Sequence, residues 1–242
     1  MLGAELGCEP SDLESHALSV VAKPKSEKDS SVALVATCGT GTVFSVEPSL
    51  VDWVRANAPE PHFRVMQPFF LADVATRAIE SGFAGASARG FSLGFVLAEA
   101  PPVPVVPGGY RLVELSVGEI VRLRATKEFD NALAEPEETP RVQAFRTAFA
   151  LLDGGESPAA IAGIWDEGPG VDEIGVDVRR DVRGGGLAKA VVLQATRHVL
   201  ANGRTPIYTC GTTNVRSHNN AISCGYRPFW TIGRVWAPPT IG

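Results

Sequence analysis

The run Arg183-Gly184-Gly185-Gly186-Leu187-Ala188 combines two features that hold a phosphate through the backbone. Glycines let main-chain amides come close to a ligand. The first turn of a helix offers unpaired N–H groups and the positive end of a dipole. Upstream, Val171-Asp172-Glu173-Ile174-Gly175-Val176-Asp177-Val178 has the β-branched alternation of a strand. Downstream, Leu187, Ala190, Val191, Ala195 and Val199 recur at three- and four-residue spacing, the stripe of an amphipathic helix. Strand, glycine turn and helix start together make an anion cradle for phosphate or pyrophosphate. Two other glycine-loop readings fail. No G-x-x-x-x-G-K-[ST] run is present, and no third glycine follows Gly186 at the dinucleotide spacing. Residues 202–206, where a ribose-binding acid would stand, contain none.

The elements that must position this loop are legible around it. The helix stops at Asn202-Gly203, and Thr205–Cys210 reads as a second apolar strand. A segment opening at Asn214 leads to Cys224-Gly225-Tyr226-Arg227-Pro228-Phe229. Before the loop, Tyr110–Ser116 reads as a strand and Gly118–Phe129 as a helix. Residues 130–143 read as a polar acidic loop. Phe145–Leu152 and Ala159–Asp166 read as a hairpin around Asp153-Gly154-Gly155. The proline run 101–107 cannot join a helix or a central strand, and marks a domain boundary. Ahead of it, 16–23, 32–38, 42–46 and 91–98 read as strands, and 49–57 and 68–81 as helices. These make a small α+β domain, and no motif in it carries chemistry.

The spacing Arg183-x-x-Gly186-x-Ala188, within the order strand–loop–helix–strand–Asn–helix–Gly–aromatic, resembles the acyl-CoA pyrophosphate loop of the GNAT superfamily of N-acetyltransferases. The resemblance covers about residues 108–238 and is strongest from Asp172 to Trp230. Asp130-Asn131-Ala132-Leu133 and Tyr226-Arg227-Pro228-Phe229-Trp230 look similar to bacterial GNAT proteins with an extra N-terminal domain. The resemblance implies an α/β (α+β) chain. A GNAT-like mixed, splayed sheet flanked by helices, 106–242, follows the small α+β domain, 1–105, whose role is left open between acceptor binding and dimerisation. It implies acetyl-CoA as co-substrate, lying where strands 171–178 and 205–211 part. By resemblance, Arg183, Gly184, Gly185, Gly186, Leu187 and Ala188 hold the pyrophosphate, Val176 and Val178 pair with the pantetheine arm, and Asn214 contacts CoA. The reaction implied is direct attack of a primary amine, of a small molecule or a peptide N-terminus, on the thioester. Glu173, near the start of the anchor strand, is the candidate base; a buried carboxylate there would titrate closer to neutrality. The family's frequent general acid, a tyrosine, is replaced by Ala221. His218, Ser223, Cys224 and Tyr208 are nearby substitutes. This departure leaves open a second reading, an acyl-CoA-binding sensor or interaction module without turnover.

Composition bounds these readings. The 242 residues carry a net charge of −5, which argues against general nucleic-acid binding. Residues 1–105 hold 7 basic and 12 acidic side chains, and 106–242 hold 15 of each. Within the neutral part Arg179, Arg180, Arg183, Lys189 and Arg197 gather around the loop, as attraction of CoA phosphates would require. No apolar run approaches the ~20 residues of a membrane span. Cys8, Cys38, Cys210 and Cys224 lack C-x-x-C spacing, and His16 and His62 lack partner spacing. A reduced, cytoplasmic protein without metal is expected, and a homodimer is admitted.

Overall fold

The computed structural model describes residues 2–24, 31–133 and 145–238. The chain forms two compact units, Met1–Gly94 with Gly211–Thr213 and Phe229–Gly242, and Phe95–Cys210 with Asn214–Pro228. The division falls at Gly94 rather than at the proline run 101–107, and the C-terminal segment groups with the N-terminal unit.

The first unit opens with the short helices α1 (Leu2–Leu6) and α2 (Pro10–Glu14). Strands β1 (Leu18–Ala22), β2 (Ser31–Thr37) and β3 (Thr42–Val46) follow, then α3 (Val51–Asn57), α4 (Pro68–Glu80) and β4 (Ser87–Leu97). The strands and longer helices expected from periodicity are all found. The short α1 and α2 lack an apolar period long enough to read. β2 and β3 pair antiparallel, and β1 joins β3 in parallel. Phe44, Val54, Phe70, Leu71 and Val74 fill a core between this sheet and the two helices.

The second unit carries β5 (Arg111–Glu114), α5 (Val117–Arg124), α6 (Asp130–Leu133), β6 (Phe145–Leu152), β7 (Pro158–Gly168) and β8 (Val171–Val178). Then come α7 (Leu187–Ala201), β9 (Thr205–Gly211), α8 (Val215–Ser223) and β10 (Tyr226–Trp236). The last residues of β10 lie in the first unit, where Thr231–Trp236 pair antiparallel with β2. In the second unit the order is β9-β8-β7-β6-β5. β5 to β8 are antiparallel neighbours, and β8 and β9 run parallel. The sheet is therefore mixed, with helices against it, as expected.

Local chemistry explains the boundaries. Ser116 caps α5 in a box with Glu119, each side chain taking the other's backbone N–H. α5 ends at Arg124, earlier than the expected Phe129, and Lys127 then takes a positive φ of 54°. Asp130–Leu133, read as the start of a loop, forms α6. Residues 134–143 of that expected loop lie outside the described residues. The β6–β7 turn is built by Asp153 Oδ1, which accepts from Gly155 N at 3.0 Å and Ser157 N at 3.1 Å. The apolar stripe of α7 is buried throughout, together with Val192 and Leu193.

Candidate functional site

The parallel ladder between β8 and β9 is short. It pairs Val171 with Thr205, Asp172 with Pro206 and Glu173 with Ile207. Beyond those pairs the strands part. A cleft of about 780 Å³ takes in both sides of the gap. Val176, Asp177 and Val178 line it from β8, Tyr208 from β9, and Gly184, Gly186, Leu187, Ala188 and Lys189 from the turn and the start of α7. Asn214, Arg216, Ser217, Asn219, Asn220 and Ser223 line it from α8.

The glycine turn has the backbone its sequence demands. Gly184 and Gly186 sit at φ 98° and 76°, where a side chain is strained. Gly186 is the N-cap of α7 and, lacking a side chain, cannot cap it. Among the described residues no side-chain acceptor is shown on the first N–H groups of α7, which begins in the cleft lining. Arg183 lines the cleft and donates from Nε to the Val178 carbonyl at 3.1 Å, tying the turn to the end of β8.

Of the expected binding residues, Val176, Val178, Arg183, Gly184, Gly186, Leu187, Ala188 and Asn214 line this one cleft, and Gly185 does not. Of the five expected cations only Arg183 and Lys189 do. Arg179 is committed elsewhere, donating to Asp181 at 2.8 Å and to Asp153 at 2.9 Å. Those carboxylates raise its already high affinity for the proton. A third cation, Arg216, comes from the first turn of α8, so among the described residues the lining holds three cations against the carboxylate of Asp177. Asn214 spends its Oδ1 as the cap of α8, accepting from Ser217 N at 3.2 Å.

One face of β8 carries the carboxylates. Glu173 is 5% exposed and accepts a hydrogen bond from Thr209 Oγ1 on β9. It stands at the last paired position before the strands part and is not in the cleft lining. Asp177, four residues on, accepts from Asn131 Nδ2 at 2.7 Å and from Ala132 N at 3.0 Å. Burial pushes its carboxyl up, against those hydrogen bonds. Between the two lies Gly175, register partner of Gly163 on β7. A Cβ at Gly175 would stand 2.1 Å from the Asn131 carbonyl oxygen, and one at Gly163 would stand 1.8 Å from that of Ala132. The glycine pair is thus the floor on which α6 rests, and Asp177 is its clamp. Sequence reading missed this arrangement because it joins residues 31 to 46 positions apart.

The opposite face of the sheet is anchored by Asp172, whose side chain is buried. It bonds Arg146 Nε at 2.8 Å and stands 2.9 Å from Arg204 Nε. Both arginines also reach Asp166, which faces Asp172 across β7 and β8. Two like charges on paired strands are thereby neutralised beside the point where β8 and β9 separate. Cys224 is buried and its thiol is pushed up to about 11 by burial, which makes it a packing residue rather than a nucleophile. Among the described residues no group of three or more His, Cys, Asp or Glu side chains is placed to hold a metal, and no helix is long and apolar enough to cross a membrane.

No protein-family model and no curated protein sequence matches the chain. Solved structures match it by shape. A GNAT-family protein from Novosphingobium aromaticivorans aligns with a TM-score of 0.51 at 19% identity, over 65% of this chain and 69% of that one. A GCN5-related N-acetyltransferase-like protein from Streptococcus suis gives 0.51 at 18% identity, over 66% and 67%. The chain has the GNAT fold. A Drosophila protein reaches the same TM-score of 0.51 at 16% identity, over 70% of this chain and 58% of that one. The parting of β8 and β9 is the splay expected of the GNAT fold, and the glycine turn stands at its mouth.

Proposed function

We propose that the protein binds acetyl-CoA in the β8–β9 cleft and transfers its acetyl group to a primary amine of a small molecule or a peptide N-terminus. The observation that carries this reading is the coincidence, in one cleft, of parted parallel strands, an uncapped helix start behind glycines at positive φ, and three cations. The pyrophosphate would lie on the amides of 184–188, with Arg183, Lys189 and Arg216 offsetting its charge. The pantetheine arm would run along Val176 and Val178, where the strand lacks β9 as a partner. The amine nitrogen then attacks the thioester carbonyl carbon, the C–N bond forms, and the C–S bond breaks with its electron pair on sulfur. The ammonium proton has to leave, and Glu173 is the carboxylate at the split. Its partner Thr209 fixes the carboxylate's orientation.

A second reading follows from Ala221, which is 0% exposed and puts no hydroxyl where the family commonly has one. A GNAT fold that holds acyl-CoA without turnover would serve as a sensor or interaction module. The two readings separate on CoA release from acetyl-CoA with a panel of amines. Amine-dependent release supports the transferase. Binding of acetyl-CoA without release from any amine supports the module.

A further inference from the structure

We propose that Tyr208 and Ser217 form a hydroxyl relay that stabilises the CoA thiolate as it leaves. This inference rests on the acyl-transfer reading. The strand register locates the relay. The last β8–β9 pair is Glu173 with Ile207, so Tyr208 is the first β9 residue beyond the split. Side chains alternate along a strand, so Tyr208 faces away from the side on which Thr209 meets Glu173. The split therefore carries a carboxylate on one face of the sheet and a phenol on the other.

The phenol is held in place. Tyr208 is 1% exposed, with Phe95 edge-on at 6.2 Å and Tyr226 at 6.0 Å between ring centres. Its oxygen lies 2.6 Å from Ser217 Oγ, and both residues line the cleft. Burial pushes the phenol up, with hydrogen bonding to Ser217 and Asn220 acting the other way. The titratable groups facing it are the Tyr226 phenol and the thiols of Cys210 and Cys224, all pushed up by burial as well. A phenol that keeps its proton through the neutral range can donate it to Ser217 Oγ, which frees the serine's own hydrogen. That hydrogen can then point to a departing thiolate, a strong acceptor.

The other hydroxyl and thiol candidates are occupied. Ser223 Oγ donates to the Asn220 carbonyl at 2.8 Å, and Cys224 is in the core. In the relay, the C–S bond breaks with its pair on sulfur, Ser217 Oγ–H donates a hydrogen bond to that sulfur, and Tyr208 donates its own to Ser217 Oγ. Both hydroxyls keep their protons. The ammonium proton leaves through Glu173 to solvent and the thiolate takes one proton back from solvent, so the balance closes.

The test titrates the thiol of bound CoA by its ultraviolet thiolate band, with the desulfo-CoA complex as blank. Wild type, Ser217→Ala and Tyr208→Phe are compared, and acetyl-CoA turnover is measured alongside. The expected result is a bound thiol that ionises about one pH unit lower in the wild type than in either variant. kcat in each variant should fall about 10²-fold, with CoA affinity kept. Ser217 is partly exposed, so Ser217→Ala carries the test alone where Tyr208→Phe does not fold. An unchanged thiol titration with CoA bound overturns the relay and leaves the transferase reading standing. Absence of CoA binding to the wild type overturns both.

Discussion

At the scale of single residues, Glu173 carries the proposed proton transfer. The carboxylate is buried, is oriented by Thr209, and stands at the last rung before β8 and β9 part. Glu173→Gln keeps the shape and the capacity to accept from Thr209 but cannot take up a proton. It should lower kcat by about 10²–10⁴-fold while acetyl-CoA affinity is kept. Steady-state kinetics with calorimetry checks this. Full activity across the pH range would move proton acceptance to solvent or to another group. The sequence displayed Glu173 because it sits inside a strand that ends in a recognisable loop. It did not display Arg216, Tyr208 or Ser217 as one set, because helical and strand periodicity say which face a residue takes, not which distant residue shares it.

At the scale of elements, the glycine turn and α7 were legible, since both are local. An amphipathic stripe and a run of glycines are written within a short stretch of chain. The support of α6 was not. Its floor is a glycine pair on neighbouring strands, and its clamp is an aspartate from a third segment. A sequence reader sees Gly163 and Gly175 only as isolated weak points in strands. The structure makes them sites of close backbone approach, where Gly163→Ala forces α6 to move by overlapping the Ala132 carbonyl. That substitution should destabilise the protein by about 1–3 kcal/mol, the usual cost of overpacking. Gly118→Ala is the control. Gly118 lies in α5 with open space around its Cβ and no positive φ, so alanine there should be neutral or stabilising by up to ~1 kcal/mol. Thermal or urea unfolding of both variants gives the comparison. Equal stability of the two would show that α6 is not held as described.

At the scale of the whole molecule, the proline run 101–107 looked like the place to cut. Composition justified it, because proline excludes a central strand. The pairing of β10 with β2 was invisible at that level, since strand partnership across nearly 200 residues leaves no local mark. Val235 and Ala237 complete the core of the first unit. A chain starting near Pro107 would keep these apolar residues and lose both the partner strand and the helices α3 and α4. The truncated chain should aggregate or fail to melt cooperatively, because it leaves an unpaired apolar strand. Size-exclusion chromatography and circular dichroism check it. A monomeric, cooperatively folding truncation would show that the first unit is dispensable for the fold.

The central claim is that the parted strands and the glycine turn hold acyl-CoA. Isothermal calorimetry of acetyl-CoA with the wild type and Gly186→Glu tests it most directly, with melting curves to confirm that the variant is folded. The substitution puts a carboxylate where the pyrophosphate should meet the start of α7. The account predicts saturable binding to the wild type and a loss of about 100-fold or more in the folded variant, equivalent to ~2.7 kcal/mol. Equal affinity in the two proteins would contradict it.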